Sequence, residues 1–244
     1  MRADATNGAE LAHNAEQVRY FERDAKPRMV PRPSRYLERH LNELLAFGGF
    51  TTDDRLLEIG AGMGRYTIPL LQRGYRVEAC DLSEVLLSRL QEYARPRPVT
   101  VHQVDAASPP QNLHGQFDGV IGLFMLHHVH DVEHCLTGVA RMLKPAGRVA
   151  FLEPNAFNPL FYLQMAITPG MTWAGDGGVA RMRVSLLHRA LAGAGFVDIS
   201  HTRFGFFPPM IVDRPLGPPL ERALERIPIW RPLLPFQVVR ARLA

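Results

Sequence analysis

The sequence predicts an α/β fold: an open, doubly wound, mostly parallel sheet with helices on both faces. Three observations predict it. Short apolar runs alternate with stretches of helical periodicity from residue 55 to residue 204, as repeated βαβ units require. One such run, "RLLEIG" (55–60), passes straight into glycines at 60, 62 and 64 and then into a helical pattern. Ligands of open parallel sheets bind at such carboxyl strand ends. The 244 residues suit one large domain, which can bury a core without disulfides or metals.

The elements follow in chain order. Residues 1–30 are polar and read as a partly helical arm. In "PSRYLERHLNELLAFGGF" (33–50), Tyr36, Leu37, Leu41, Leu44 and Leu45 recur at helical spacing. Pro33 and Ser34 suit the start of that helix, and Gly48-Gly49 its end. "RLLEIG" is the first strand, and "MGRYTIPLLQRG" (63–74) is a helix stopped by glycine. "YRVEACD" (75–81) is the second strand; "SEVLLSRLQEYA" (83–94) is a helix with Ser83 as N-cap. "VTVHQVD" (99–105) and "FDGVIGLFML" (117–126) are the third and fourth strands. A helix at 131–144, a strand at 147–154, a helix at 185–195 and strands at 196–204 and 235–243 complete the series.

Two segments interrupt the alternation. Residues 155–184 are apolar and aromatic and end in a glycine-rich turn; residues 205–234 are dense in proline, with a short helix at 218–227. Loops this long are lids, binding elements or surface elaboration. The expected organisation is a single domain over 1–244: arm and first helix (1–50), core (51–154), lid insertion (155–184) and proline-rich insertion (205–234).

Composition narrows the function. The net charge is +4, and the arginines that dominate it are scattered, with no basic stripe interleaved with aromatics; nucleic acid is not expected as a partner. Cys80 and Cys135 fit no zinc spacing, so a reduced, cytoplasmic setting is expected. The polar start lacks the apolar centre of a leader peptide, and no run reaches the roughly 18–20 apolar residues of a membrane span.

The glycine spacing discriminates between ligands. Dinucleotide sites place the third glycine five positions after the first, and a phosphate-binding loop needs Gly-Lys-Ser/Thr. Here the third glycine is four positions after the first, and Arg65-Tyr66 follow it. Glu58 lies two residues before the first glycine. A carboxylate there repels a pyrophosphate but can organise a cationic, amine-bearing ligand.

The run Glu58, Gly60, Gly62, Gly64 resembles the first motif of the class I S-adenosylmethionine-dependent methyltransferases, E-x-G-x-G-x-G. The resemblance covers roughly residues 50–204 and is nearest to the small-molecule branch that includes quinone-biosynthesis and natural-product enzymes. It implies a Rossmann-like sheet of seven strands with the last antiparallel, and S-adenosyl-L-methionine as cofactor. It implies that Asp81, with Leu82 beside it, holds the ribose hydroxyls. Asp105 and Ala106 in "VDAA" would meet the adenine, and Leu123 and Phe124 would pack by the methionine moiety. "MLKPAGRVAF" (142–151) matches the family's L-K-P-G-G turn, with Ala146 in place of the first glycine.

"LHHVHDVEH" (126–134) holds four of the ten histidines. His127 and His128 end the fourth strand, beside the transferable methyl that the resemblance implies. They line the pocket, serve as structural groups, or one acts as general base, with His128 better placed for that role. His130 and His134 are spaced i, i+4, but no second ligand cluster accompanies them, so no metal is expected. Asp131 reads as a helix N-cap.

The expected chemistry is methyl transfer by in-line displacement to a small apolar or aromatic acceptor, most simply at oxygen. Tyr20, Phe21, Glu153, Asn155, Phe157, Tyr162, Trp173 and Phe207 are candidates for the acceptor pocket. Two alternatives stand beside it: a cofactor-binding partner subunit or sensor that transfers nothing, and a methyltransferase-fold enzyme of another reaction such as cyclisation. Phe206, Phe207, Ile211 and Trp230 could instead meet a membrane surface or a second copy in a homodimer.

Overall fold

Strands β1 (Arg55–Ile59), β2 (Arg76–Asp81), β3 (Val101–Gln103), β4 (Phe117–Leu123) and β5 (Leu143–Pro154) run parallel. β7 (Phe236–Leu243) pairs antiparallel with β5 and with β6 (Phe196–Phe204). The order is β3-β2-β1-β4-β5-β7-β6, the expected seven-stranded sheet with its last strand antiparallel. The structure is a computed structural model and describes residues 2–23, 29–167 and 177–244. Chain order reverses between β1 and β4, so their carboxyl ends flank the crevice where such sheets bind ligands.

The period-2 alternation of strand side chains divides the core between the two faces. Leu57 and Val120 pack with Val139 of helix α5 (Val132–Met142) and Leu187 of helix α7 (Val184–Gly193) on one face. Leu56 and Ile121 pack with Leu41 and Leu44 of helix α2 (Arg35–Gly48) on the other. Helices α3 (Thr67–Gln72) and α4 (Glu84–Ala94) meet through Ile68, Leu87 and Leu90. The local caps form as expected. The Ser83 hydroxyl accepts from Leu86 N, and the Asp131 carboxylate accepts from His134 N.

Several elements differ from expectation. The arm is one continuous helix, α1 (Arg2–Arg23). The helix after the glycines starts only at Thr67, because Gly62 and Gly64 hold positive φ of 53° and 85° and keep the backbone out of the right-handed helix. β5 begins at Leu143 rather than 147, as the turn through Ala146 is drawn into the ladder with a register shift against β4. Residues 159–167 form helix α6 (Pro159–Ile167). The proline-rich insertion folds as helices α8 (Pro209–Val212) and α9 (Gly217–Glu225) and a 3-10 turn at Pro228–Leu233. It leaves β6 at Phe204 and rejoins β7 at Phe236, and both pair at the level of Pro154. The insertion therefore hangs from the same sheet edge as the carboxyl ends of the parallel strands. No helix among the described residues is long and apolar enough to cross a membrane.

Candidate functional site

The glycine loop turns at the end of β1. A Cβ on Gly60 would sit 2.7 Å from Met125 Cβ, so this loop lies directly against the turn that carries the histidines. Below the loop, Glu58 is buried and accepts from the Thr67 hydroxyl at 2.7 Å. Burial pushes its pKa up to about 8, and the neighbouring Asp81 charge adds to the rise. Asp81 ends β2 with Oδ2 accepting from Gly62 N at 2.8 Å and Oδ1 accepting from Ser83 N at 3.0 Å. These amides fix the carboxylate across the loop and leave each oxygen a further lone pair for a ligand hydroxyl. Burial raises the Asp81 pKa, and the backbone N–H donors of Ser83, Gly62 and Leu82 oppose the rise. Leu82 follows, its carbonyl accepting from the Gln103 amide. Past β3, Asp105 Oδ1 accepts from Ala107 N at 2.9 Å, closing a tight turn through Ala106.

Helix α1 lies over this row. The Asn14 amide donates to Asp105 Oδ2 at 2.7 Å, and the Ser83 hydroxyl meets Glu22 Oε1 at 2.6 Å. His13 Nε2 donates to the His128 carbonyl at 2.7 Å. From His13 to Glu22 the helix rises about 14 Å at 1.5 Å per residue. One helix segment thus spans Asp105, the Asp81–Ser83 turn and the histidine turn.

β4 ends at buried Leu123, and Phe124 takes a left-handed φ of 57°, which a bulky residue rarely holds. The chain then forms a 3-10 turn at Leu126–His128. Glu153, fully buried, clamps it from β5. Oε1 accepts from Met125 N at 2.9 Å and Leu126 N at 2.7 Å, and Oε2 lies 2.7 Å from His127 Nδ1. A carboxylate only accepts, so His127 presents N–H at Nδ1. The His127 ring is buried and packs on that of His128 at 3.9 Å between centroids. His128 is half-buried and meets Phe21 edge-on at 5.0 Å. Gly178, within the first insertion, touches the His127 carbonyl so closely that a Cβ would overlap it. His134 pairs with Glu10 of α1 at 3.0 Å.

The acceptor candidates scatter. Tyr20 and Phe21 pack on each other beside His128. Glu153 faces inward, as described. The Asn155 amide donates to the carbonyls of Pro232 and Leu234 at 2.8 and 2.9 Å and pins the proline-rich insertion. Phe157 is exposed, and the Tyr162 hydroxyl donates to the Ala156 carbonyl. Phe207 is half-buried with its backbone N–H on Glu221. Trp173 lies outside the described residues.

An aromatic cluster around His40 is not apparent in the sequence pattern. Tyr36, Phe124 and Phe236 ring it at 4.2, 5.2 and 4.7 Å, and the Tyr66 hydroxyl lies 3.0 Å from His40 Nδ1. His40 Nε2 is buried and has no hydrogen-bond partner among the described residues. Burial, aided by the charges of Arg65 and Arg39, holds the His40 pKa well below the ordinary imidazole value, so the ring is neutral. An i, i+4 pair, Tyr36 and His40, with Tyr66 just after the glycines, was the available clue.

Residues 57–151 match the family model described as "Methyltransferase domain". A ubiquinone biosynthesis O-methyltransferase of Pseudomonas aeruginosa is 35% identical over 111 residues, 45% of this chain and 47% of that protein. The namesake from Dechloromonas aromatica is 33% identical over 45% of this chain and 47% of its own. The chain thus matches about half the length of these curated relatives. Among solved structures, a Thermotoga maritima S-adenosylmethionine-dependent methyltransferase aligns over 93% of this chain and 100% of its own, with TM-score 0.64 and 20% identity. The [4+2]-cyclase SpnF aligns over 84% of this chain and 81% of its own, with TM-score 0.56 and 18% identity. These likenesses bear on the fold. Residues 57–151 are thus similar to a methyltransferase domain, and the strand order is the one expected from the resemblance to the class I S-adenosylmethionine-dependent methyltransferases.

Proposed function

We propose that the protein binds S-adenosylmethionine and methylates a hydroxyl on a small aromatic or apolar acceptor. One observation carries the proposal: the carboxylate of Asp81, the carboxylate of Asp105 and the His128 turn lie in a row beneath a single helix. The donor set fits the cofactor. Asp81 offers lone pairs to a diol, and Asp105 offers an acceptor to an amino group. Buried Glu58 sits by the loop where a ligand ammonium would bring it to its charged form.

When bound, the cofactor supplies an electrophilic methyl on a sulfonium. The chain supplies orientation, which can account for about 7–11 kcal/mol of a barrier. Asp81 and the glycine loop fix one reactant, while Phe124 and the rings around His40 form an apolar wall suited to a planar one. His128, half-buried at this edge, takes the acceptor proton; such a base adds about 10²–10⁴-fold. His127 and Glu153 act through it, holding the turn and the neighbouring ring in place. The O-methyltransferase relatives support oxygen as the acceptor atom.

Methyl-labelled cofactor incubated with fractionated small-molecule extracts tests this. Label is expected in an apolar product, with alkali-stable ether character. Tight cofactor binding without transfer to any fraction would favour a non-methylating role.

A further inference from the structure

The outer face of the proline-rich insertion shows a sorting of charge that the site does not use. Met210, Leu216 and Ile229 are 75%, 79% and 74% exposed, and Leu220, Trp230 and Leu233 stand out of the same segment. Scattered surface leucines need no explanation, but a contiguous run of large exposed apolar groups does. On α9, Leu216 and Leu220 fall on one stripe at i, i+4, and Arg222 and Arg226 on the next; Gly217 and Glu221 face inward.

Each acid of the segment is engaged by a neighbouring group, although Asp213 itself is exposed. Asp213 accepts from the Ser34 hydroxyl and Tyr36 N, both at 3.0 Å. Glu221 accepts from Phe206 N and Phe207 N at 2.8 and 3.0 Å. Glu225 accepts from Gly205 N at 2.6 Å and pairs with Arg39 at 2.7 Å. Arg214, Arg222, Arg226 and Arg231 are exposed and form no ion pair among the described residues. The segment thus presents four arginines and several large apolar groups outward, against one exposed acid, Asp213, that is already engaged by Ser34 and Tyr36. Its prolines and the ties from Asn155 hold it in shape, so docking requires no folding step.

We propose that this face docks on an anionic phospholipid bilayer surface, with its apolar groups at the headgroup boundary and its arginines on lipid phosphates. A second copy is disfavoured, because an isologous contact would set the same arginines against one another. Fluid lipid phosphates can adjust to arginines spread over several short elements. The proposal stands apart from methyl transfer and is tested without it.

The full chain carrying Trp173→Phe, which leaves Trp230 as its single tryptophan, is mixed with vesicles of phosphatidylglycerol and phosphatidylcholine, or phosphatidylcholine alone. Co-sedimentation with anionic vesicles only, weakened by salt and accompanied by a blue shift of Trp230 emission, is expected. Arg222→Gln with Arg226→Gln should lower partitioning about 25-fold, about fivefold for each arginine, with an unchanged thermal melt. Equal sedimentation with both vesicles, none with either, or an unaffected double variant would overturn the proposal. So would a lipid-free dimer that buries Trp230 in sedimentation velocity, which would assign the face to a second copy.

Discussion

Glu153 Oε2 lies 2.7 Å from His127 Nδ1, and its other oxygen accepts two backbone amides of the same turn. One buried carboxylate on β5 therefore sets the shape of the turn after β4 and the tautomer of its first histidine. This separates positioning from proton transfer. His128→Ala is expected to lower kcat about 10²–10⁴-fold while leaving cofactor affinity unchanged. Glu153→Gln keeps the shape but presents an amide nitrogen to one of its partners. It should cost about 1–3 kcal/mol of stability and lower kcat roughly 10- to 100-fold, less than His128→Ala. Steady-state kinetics from pH 5 to 9 and thermal melts distinguish the two.

Glu58 gives a pH dependence of stability. Its folded pKa is raised from 4.5 to about 8. Between those values the folded state holds a proton that the unfolded state has released. Folding is then favoured at low pH, and this contribution is lost as pH rises through the window. Glu58→Gln, which keeps an oxygen for the Thr67 hydroxyl, should flatten that loss. Its stability relative to wild type should grow from pH 5 to 8, by at most about 1.4 kcal/mol per pH unit. Urea melts at pH 5, 6.5 and 8 would show it; a constant difference would refute the raised pKa.

Ala146 holds a φ of 60° at an exposed turn. A left-handed conformation strains a residue with a Cβ, and glycine relieves it. Ala146→Gly should stabilise the fold by about 0.5–1 kcal/mol, about 1–4 °C in melting temperature for a chain of this size. Calorimetry checks it, and a destabilised variant would show that the alanine methyl packs usefully.

The parts of the molecule legible in the sequence are local. The glycine loop, the caps at Ser83 and Asp131 and the acid closing β2 each depend on neighbours a few residues away. The turn at 142–147 was recognised by its motif, yet its inclusion in β5 depends on pairing with β4, which composition does not display. Asn14 on Asp105 spans 91 positions, and the Asn155 tie to the insertion spans nearly as many. Nothing in a polar arm distinguishes the one asparagine that meets a site carboxylate. Glu153 and Asn155 read as pocket polars because a polar strand end looks the same whether it faces a ligand or the chain. His40 was hidden for the opposite reason: one histidine on an amphipathic helix reads as an ordinary surface residue until five rings enclose it.

The central claim is that the row from the glycine loop to Asp105 holds S-adenosylmethionine, with Asp81 as its anchor. Isothermal titration of the demethylated cofactor, S-adenosylhomocysteine, into wild type and Asp81→Ala tests it most directly. One-to-one binding by wild type is expected, with loss of detectable binding in the variant while its circular dichroism spectrum is preserved. Absence of binding to wild type, or equal affinity in the two proteins, would contradict the site.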